Sequence, residues 1–114
     1  MFGDGSTRRD YTFCTDIVQG IAEAIEKDFG FEVFNLGGGR TVELRRLISL
    51  IEEALGMKAR IRRRPTQAAD MAATDADIAK SRRLLGYEPK VSIEEGVPIF
   101  VKWFLETMRK TNRC

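Results

Sequence analysis

The sequence predicts a small α/β domain with about four helices and a few short strands. Four stretches carry apolar residues at the spacing of an amphipathic helix, and three shorter stretches have the alternating or compact apolar patterns of strands. Glycines directly follow several of the helical stretches, which is typical of helix ends. With 114 residues, 43% of them hydrophobic, the chain is long enough for one domain with a modest core.

The first predicted strand and helix lie near the N-terminus. Residues 8–13 alternate from face to face, with Tyr11 and Phe13 on one side of a short strand. Thr15 or Asp16 is then in place to cap a helix, which we expect to run to about Lys27.

A second strand and helix follow. The compact apolar run from Phe31 to Leu36 predicts a strand covered on both faces. Glycines 37–39 then turn the chain into a helix that Thr41 caps and Gly56 ends. Val42 stands where a dinucleotide fingerprint needs Gly or Ala, and no Walker Lys-Ser/Thr follows. We therefore interpret the glycine run as a flexible turn, whose amides could still face the phosphate of a ligand held elsewhere.

The second half begins with a basic segment. Residues 58–64 alternate between apolar and arginine side chains, which predicts an edge-like strand with a cationic face. A loop covers residues 65–74, and Asp75 is the expected cap of a short helix that ends at Leu85, before Gly86.

The last predicted helix begins with a capping box formed by Ser92 and Glu95. Pro98 lies several residues inside it and removes a backbone donor, so we expect either a kink or a later start. Residues 109–114 are polar. We expect a domain over residues 1–108 followed by this tail.

Composition excludes several classes of site. Histidine is absent, which removes Ser-His and Cys-His catalysis and histidine metal sites. Cys14 and Cys114 lie near opposite ends without CxxC spacing and indicate neither a disulfide framework nor a zinc site. No apolar stretch is long enough to cross a bilayer. We expect a cytoplasmic protein without a metal or a membrane partner.

The arginines raise a nucleic-acid hypothesis. The net charge is only +2, but arginines cluster at residues 60–64 and occur in pairs elsewhere. They could form a basic patch for nucleic acid, although few aromatic side chains are interleaved with them for base stacking. A solvated cationic face is the favoured interpretation.

Four polar residues are candidates for ligand binding. Arg9 can bind a phosphate bidentately, and the neighbouring Tyr11 can donate to another oxygen or to a ribose hydroxyl. Gln67 and Asp70 lie in the predicted loop. Taken alone, each also fits an ordinary surface or loop residue.

Together these pieces form a specific pattern. Four segments, 3–18, 34–44, 65–80 and 84–96, occur in order and with close spacing, and they include Arg-Asp-Tyr at 9–11 and Leu-Leu-Gly-Tyr-Glu-Pro at 84–89. The chain from Gly3 to about Leu105 resembles the C-terminal part of the NAD-dependent nucleotide-sugar epimerases and dehydratases, which are extended short-chain dehydrogenases. The nearest likeness is to the UDP-glucuronate 4-epimerases, whose loop reads Met-Gln-Pro-Gly-Asp.

This resemblance implies the roles of the four candidates. In the family the Arg-Asp-Tyr arginine grips the nucleotide diphosphate with the tyrosine beside it, which points to Arg9 and Tyr11. The loop's Gln or Arg and its Asp contact the diphosphate and the ribose hydroxyls, which points to Gln67 and Asp70. Ala68 and Ala69 replace the family's Pro-Gly, a change that loosens the loop.

The resemblance covers a binding part without the redox part. The family oxidises a sugar hydroxyl with NAD on a Rossmann domain and uses a Tyr-x-x-x-Lys pair as base, whereas Tyr11 is followed by Thr15, and Tyr87 and Lys90 are three residues apart. We expect no cofactor site and no catalytic residue in this chain. The expected function is weak UDP-sugar binding by a truncated epimerase domain.

Two partner hypotheses follow from the resemblance. The chain could be a subunit that docks on a separate Rossmann-domain chain and rebuilds a UDP-sugar 4-epimerase. Alternatively, the strand at 31–36, deprived of a neighbour, could pair with a second copy and form a homodimer.

Overall fold

A computed structural model describes residues 1–67 and 70–111, without the side chains of 109–111. Within these residues, four helices accompany one small three-stranded sheet, as the sequence predicts. The helices are α1 (Cys14–Ile25), α2 (Leu44–Leu55), α3 (Ala79–Leu85) and α4 (Ile93–Thr111). The strands are β1 (Arg8–Arg9), β2 (Val42–Glu43) and β3 (Ala73–Thr74).

The sheet joins three distant parts of the chain. Its order is β2-β1-β3, with β1 antiparallel to β2 and parallel to β3. Arg8 lies opposite Glu43 on one side and Ala73 on the other. The central strand therefore places the Arg-Asp-Tyr motif between the start of α2 and the loop that leads into α3.

Two apolar clusters hold the helices. The first joins α2 to α4 and the second packs around α3, so the short sheet itself contributes little to the core. The buried members are Leu50, Ile93, Val97 and Val101 in the first cluster, and Ile78, Leu85 and Tyr87 in the second.

The predicted helix ends are confirmed. Gly56 and Gly86 lie in the left-handed region with φ of 65° and 72°, where glycine is favoured. The Ser92–Glu95 capping box is also confirmed, since Ser92 N donates to Glu95 Oε2 (2.9 Å) and Glu95 N donates to Ser92 Oγ (3.2 Å). Helix α4 starts at Ile93 and contains Pro98, so of the two alternatives the later start does not occur and the kink stays a prediction.

The other three predicted helix caps are wrong. Thr15 and Asp16 lie inside α1, and the carboxylate of Asp16 instead accepts a hydrogen bond from Val91 N (3.0 Å). Thr41 accepts one from Arg8 Nε (2.9 Å). Helix α3 begins four residues after Asp75. Asp16 and Thr41 bond partners distant in sequence, which outcompete the local capping geometry.

The strand predicted at 31–36 is absent, and Phe31 and Val33 are 89% and 67% exposed. The backbone here has no neighbouring strand among the described residues. Side chains from α3 and the residues after it donate to alternate carbonyls instead: Lys80 to Val33 (2.8 Å), Ser81 to Asn35 (2.5 Å) and Tyr87 to Gly37 (2.9 Å). The segment is extended, but it is held by side chains rather than by a ladder.

The strands at 8–13 and 58–64 also differ from prediction. Only Arg8 and Arg9 form a ladder, because the chain enters α1 soon afterwards. Residues 58–64 are exposed and irregular, apart from an isolated bridge between Phe2 and Arg64. On their apolar side, Ile61 is 47% exposed. In the described part of the chain, every helix is too short or too polar to span a membrane.

Candidate functional site

The parallel pairing of β1 with β3 brings two predicted site residues together. Arg9 Nη2 lies 2.8 Å from Asp70 Oδ1, across 61 positions of sequence. Arg9 Nη1 also donates to the carbonyls of Arg8 and Met71, each at 2.8 Å. The guanidinium thus fastens the start of the 70–74 segment to the central strand.

Tyr11 occupies a different environment. Its ring packs against the α2–α4 cluster and lines an open groove of about 420 Å³. Phe13, Leu47, Ile51 and Phe100 are among the other apolar walls of this groove. Within the described residues the Tyr11 hydroxyl has no hydrogen-bond partner, so it is free to donate to a ligand.

Gln67 is exposed at the start of the loop. Its carbonyl accepts a hydrogen bond from Asp70 N (3.0 Å). Ala68 and Ala69, where the sequence departs from the family's Pro-Gly, lie outside the described residues. The structure therefore brings Arg9 and Asp70 into contact and fixes the main chain of Gln67 beside them.

Asp10 has a role that sequence reasoning missed. Its carboxylate accepts hydrogen bonds from Gly38 N (2.8 Å) and Gly39 N (3.1 Å). A Cβ on Gly37 would lie 2.7 Å from Asp10 Oδ2, so the close approach needs glycine there. The amides that could have faced a ligand phosphate are occupied by the chain's own carboxylate. The sequence signal for this role is the position of Asp10 between Arg9 and Tyr11, which are both ligand candidates.

Other charges around the sheet are arranged in pairs. Glu43 on β2 contacts Arg8 at 3.4 Å and also Arg45. Arg46 on α2 contacts Glu94 at 3.3 Å. The arginines at 60, 62, 63 and 64 are exposed and make no ion pair within the described ranges. Nucleic-acid binding by this cationic surface stays a prediction.

The pKa of Tyr87 is raised, mainly because its side chain is buried and also because Asp16 and Asp10 are nearby. Tyr87 therefore remains a neutral donor to Gly37. Among the residues that the structure describes, acidic and cysteine side chains form no group of three that could hold a metal ion. Cys14 is free and exposed, and Cys114 lies outside the described residues.

Comparisons with known proteins fit the sequence resemblance. The family model described as GDP-mannose 4,6 dehydratase matches residues 1–100. An uncharacterised protein of Methanocaldococcus jannaschii is 48% identical over 106 residues, which are 93% of this chain and 32% of that protein. A UDP-glucuronate 4-epimerase of Thermodesulfobacterium geofontis is 38% identical over 95% of this chain and 33% of its own length.

A solved structure shows the same fold. It is a Tyr-to-Phe mutant of the UDP-glucuronic acid 4-epimerase of Bacillus cereus in complex with UDP-4-deoxy-4-fluoro-glucuronic acid and NAD. The two chains are 34% identical with a TM-score of 0.76, over 86% of this chain and 32% of the epimerase. This chain thus spans about a third of the length of the relatives it matches.

Proposed function

Because the chain belongs to the GDP-mannose 4,6-dehydratase family, we propose that it binds the nucleoside-diphosphate end of a UDP-sugar, weakly and without catalysis on its own. Arg9 and Gln67 contact the diphosphate, Asp70 accepts from the ribose hydroxyls, and Tyr11 donates to the same ligand from its own groove. The match to UDP-glucuronate 4-epimerases supports UDP as the nucleotide.

The contact between Arg9 and Asp70 carries this proposal. A guanidinium offers a planar set of donors to phosphate oxygens, and a carboxylate accepts both donors of a vicinal diol. A nucleoside diphosphate carries these two groups on one ribose, and the structure holds their complements in contact, 2.8 Å apart. Few other polar groups converge there, so we expect a dissociation constant on the order of millimolar.

The residues present do not fit the family's cofactor. The amides of Gly38 and Gly39, which follow an extended segment, are bonded to Asp10 rather than open to a dinucleotide phosphate. Tyr87, which precedes Lys90 by three residues, does not offer a free hydroxyl like that of a catalytic tyrosine. It is buried and donates to a backbone carbonyl. The hydride chemistry that NAD supplies is therefore not assigned to this chain's residues.

The test is a titration with UDP followed through the amide NMR signals of β1 and of residues 70–74. We expect UDP to shift these signals and uridine, which lacks phosphate, to shift them much less. Arg9→Ala should abolish the UDP shifts. Arg46→Ala is the matched control, because it removes the same charge from α2, where the guanidinium contacts Glu94. Equal loss in both variants, or no shifts in the wild type, would refute specific UDP binding.

A second candidate function is that of a subunit that docks on an NAD-binding chain of the same family. Four side chains on one face of α1 are exposed: Cys14, Val18, Ile21 and Ile25. Phe31 and Val33 extend the exposed apolar surface beyond the helix. An apolar face of this extent is typical of an interface. A second copy of this chain is the competing occupant.

The docking hypothesis is tested by Ile21→Asp, with Ile99→Asp as the matched control. The two isoleucines are 49% and 53% exposed and lie on different helices. The partner is the part of the M. jannaschii relative that this chain does not match, expressed separately. Light scattering should show a complex that Ile21→Asp weakens and Ile99→Asp does not. Self-association lost with Ile21→Asp would favour the homodimer instead.

A further inference from the structure

We propose that Asp70 is a specificity-determining residue. It stays ion-paired with Arg9 until a ligand supplies both an anion for the guanidinium and a vicinal diol for the carboxylate. The inference rests on the proposed function, since it concerns the same site. The family resemblance predicts Arg9 and Asp70 as two separate ligand contacts, but the structure shows them bonded to each other. A phosphate that binds Arg9 Nη2 must therefore compete with a carboxylate already present.

The Arg9–Asp70 ion pair is partly shielded from solvent. The side chains of Arg9 and Asp70 are 31% and 28% exposed, so water screens their attraction only in part. They meet through one contact, between Nη2 and Oδ1. Among the described residues, Asp70 Oδ2 and Arg9 Nε have no partner, so each group has spare capacity for a ligand.

Arg9 keeps its position if Asp70 leaves. Its Nη1 donates to the carbonyls of Arg8 and Met71, each at 2.8 Å, and neither bond involves Asp70. Breaking the ion pair thus exposes one edge of a guanidinium that stays anchored. A phosphate can take that edge without reorganising the strand.

Asp70 is the part that needs a new partner. A bare pyrophosphate that takes Arg9 leaves this carboxylate unpaired beside a second anion, which is unfavourable. UDP supplies two ribose hydroxyl donors that replace the lost bond. The ion pair therefore selects a nucleoside diphosphate over a phosphate that lacks a diol.

Asp70→Asn tests this, with pyrophosphate and UDP each titrated by calorimetry. The amide is a neutral and weaker competitor, so pyrophosphate should bind on the order of two- to fivefold more tightly. UDP loses its charged acceptor, and its preference over pyrophosphate should fall by about tenfold. Asp70→Ala is the second variant and should change the preference in the same direction.

Glu43→Gln is the matched control. The Glu43 side chain is 27% exposed and pairs with Arg8 on β1 and Arg45 on α2. The substitution therefore removes the same charge as Asp70→Asn without changing a partner of Arg9. It should leave the preference for UDP unchanged. If UDP binds but the Asp70 variants retain the wild-type preference, the inference is wrong and the proposed function survives. If neither ligand binds any of the proteins, both are refuted.

Discussion

The Tyr87 hydroxyl donates a 2.9 Å hydrogen bond to the carbonyl of Gly37, fifty positions earlier in the chain. The tyrosine side chain is fully buried. Its ring lies against α1, where a Cβ on Gly20 would come within 2.9 Å of Tyr87 Cδ2 and still closer to Leu36. One side chain thus connects the end of α3, the glycine run and α1, and it positions the backbone that Asp10 holds beside the candidate site.

Tyr87→Phe should destabilise the fold by about 1–3 kcal/mol, because the ring is retained while a buried carbonyl loses its donor. Urea denaturation followed by circular dichroism measures the change. Tyr11→Phe is the control, since the Tyr11 hydroxyl has no partner among the described residues, and it should change stability by less than about 0.5 kcal/mol. Equal effects of the two variants would show that the bond to Gly37 contributes little.

The raised pKa of the Tyr87 hydroxyl predicts that the fold loses stability in alkali. Burial raises the pKa of Tyr87 in the folded chain above the ordinary value of 10.0. Above pH 10 the unfolded chain therefore releases this proton more readily than the folded chain, and stability falls as pH rises toward the folded-state pKa. Unfolding measured from pH 8 to pH 11 should show this fall, and Tyr87→Phe should reduce its slope. An identical slope in the variant would contradict the assignment.

The sequence predicts helix ends well where the signal is local. Gly56 and Gly86 act through their own backbone angles, and Ser92 and Glu95 bond each other within one turn. Thr41 has the same capping chemistry as Ser92, but its hydroxyl is taken by Arg8, 33 positions away. A distant donor cannot be read from a local pattern, so this prediction failed.

The candidate site shows the same contrast between local signals and distant partners. The motif resemblance names Arg9 and Asp70, but their contact depends on the parallel pairing of β1 with β3. Each of these strands has only two residues, too short for any periodic pattern. Asp10 was missed for the same reason, because its partners Gly38 and Gly39 are 28 and 29 positions away.

Ser92→Ala should destabilise the start of α4 by about 1 kcal/mol, since the hydroxyl accepts from Glu95 N at 3.2 Å. Ser49→Ala is a suitable control, because Ser49 lies inside α2 and its hydroxyl donates to the Arg45 carbonyl one turn earlier. That change should be near neutral. Thermal unfolding of both variants measures the difference. If Ser49→Ala proves the more damaging, the capping box is not a principal support of α4.

Acid should weaken the same capping box. The backbone N–H of Ser92, and then its hydroxyl, lower the pKa of Glu95 below the ordinary value of 4.5. The carboxylate therefore contributes its stabilisation above about that pH and loses it as the pH falls through the lowered pKa. Glu95→Gln should reduce the pH dependence of unfolding between pH 5 and pH 2. A variant with the wild-type acid profile would contradict this assignment.

Asp10→Asn should lower the free energy of unfolding by about 2 kcal/mol although the two side chains have the same shape. The reason is that hydrogen bonds to charged acceptors stabilise a fold more than those to neutral acceptors. Both carboxylate oxygens accept from glycine amides, and an asparagine would turn an NH₂ group toward one of these donors. Asp77→Asn is the control, since the Asp77 carboxylate accepts from a single backbone amide among the described residues, Ala79 N (2.9 Å), at an exposed position. Chemical denaturation gives the two free energies, and amide NMR should show Gly38 and Gly39 perturbed only in Asp10→Asn. Equal losses would mean that the glycine run is held mainly by Tyr87, and that the Arg-Asp-Tyr motif supports the site through Arg9 alone.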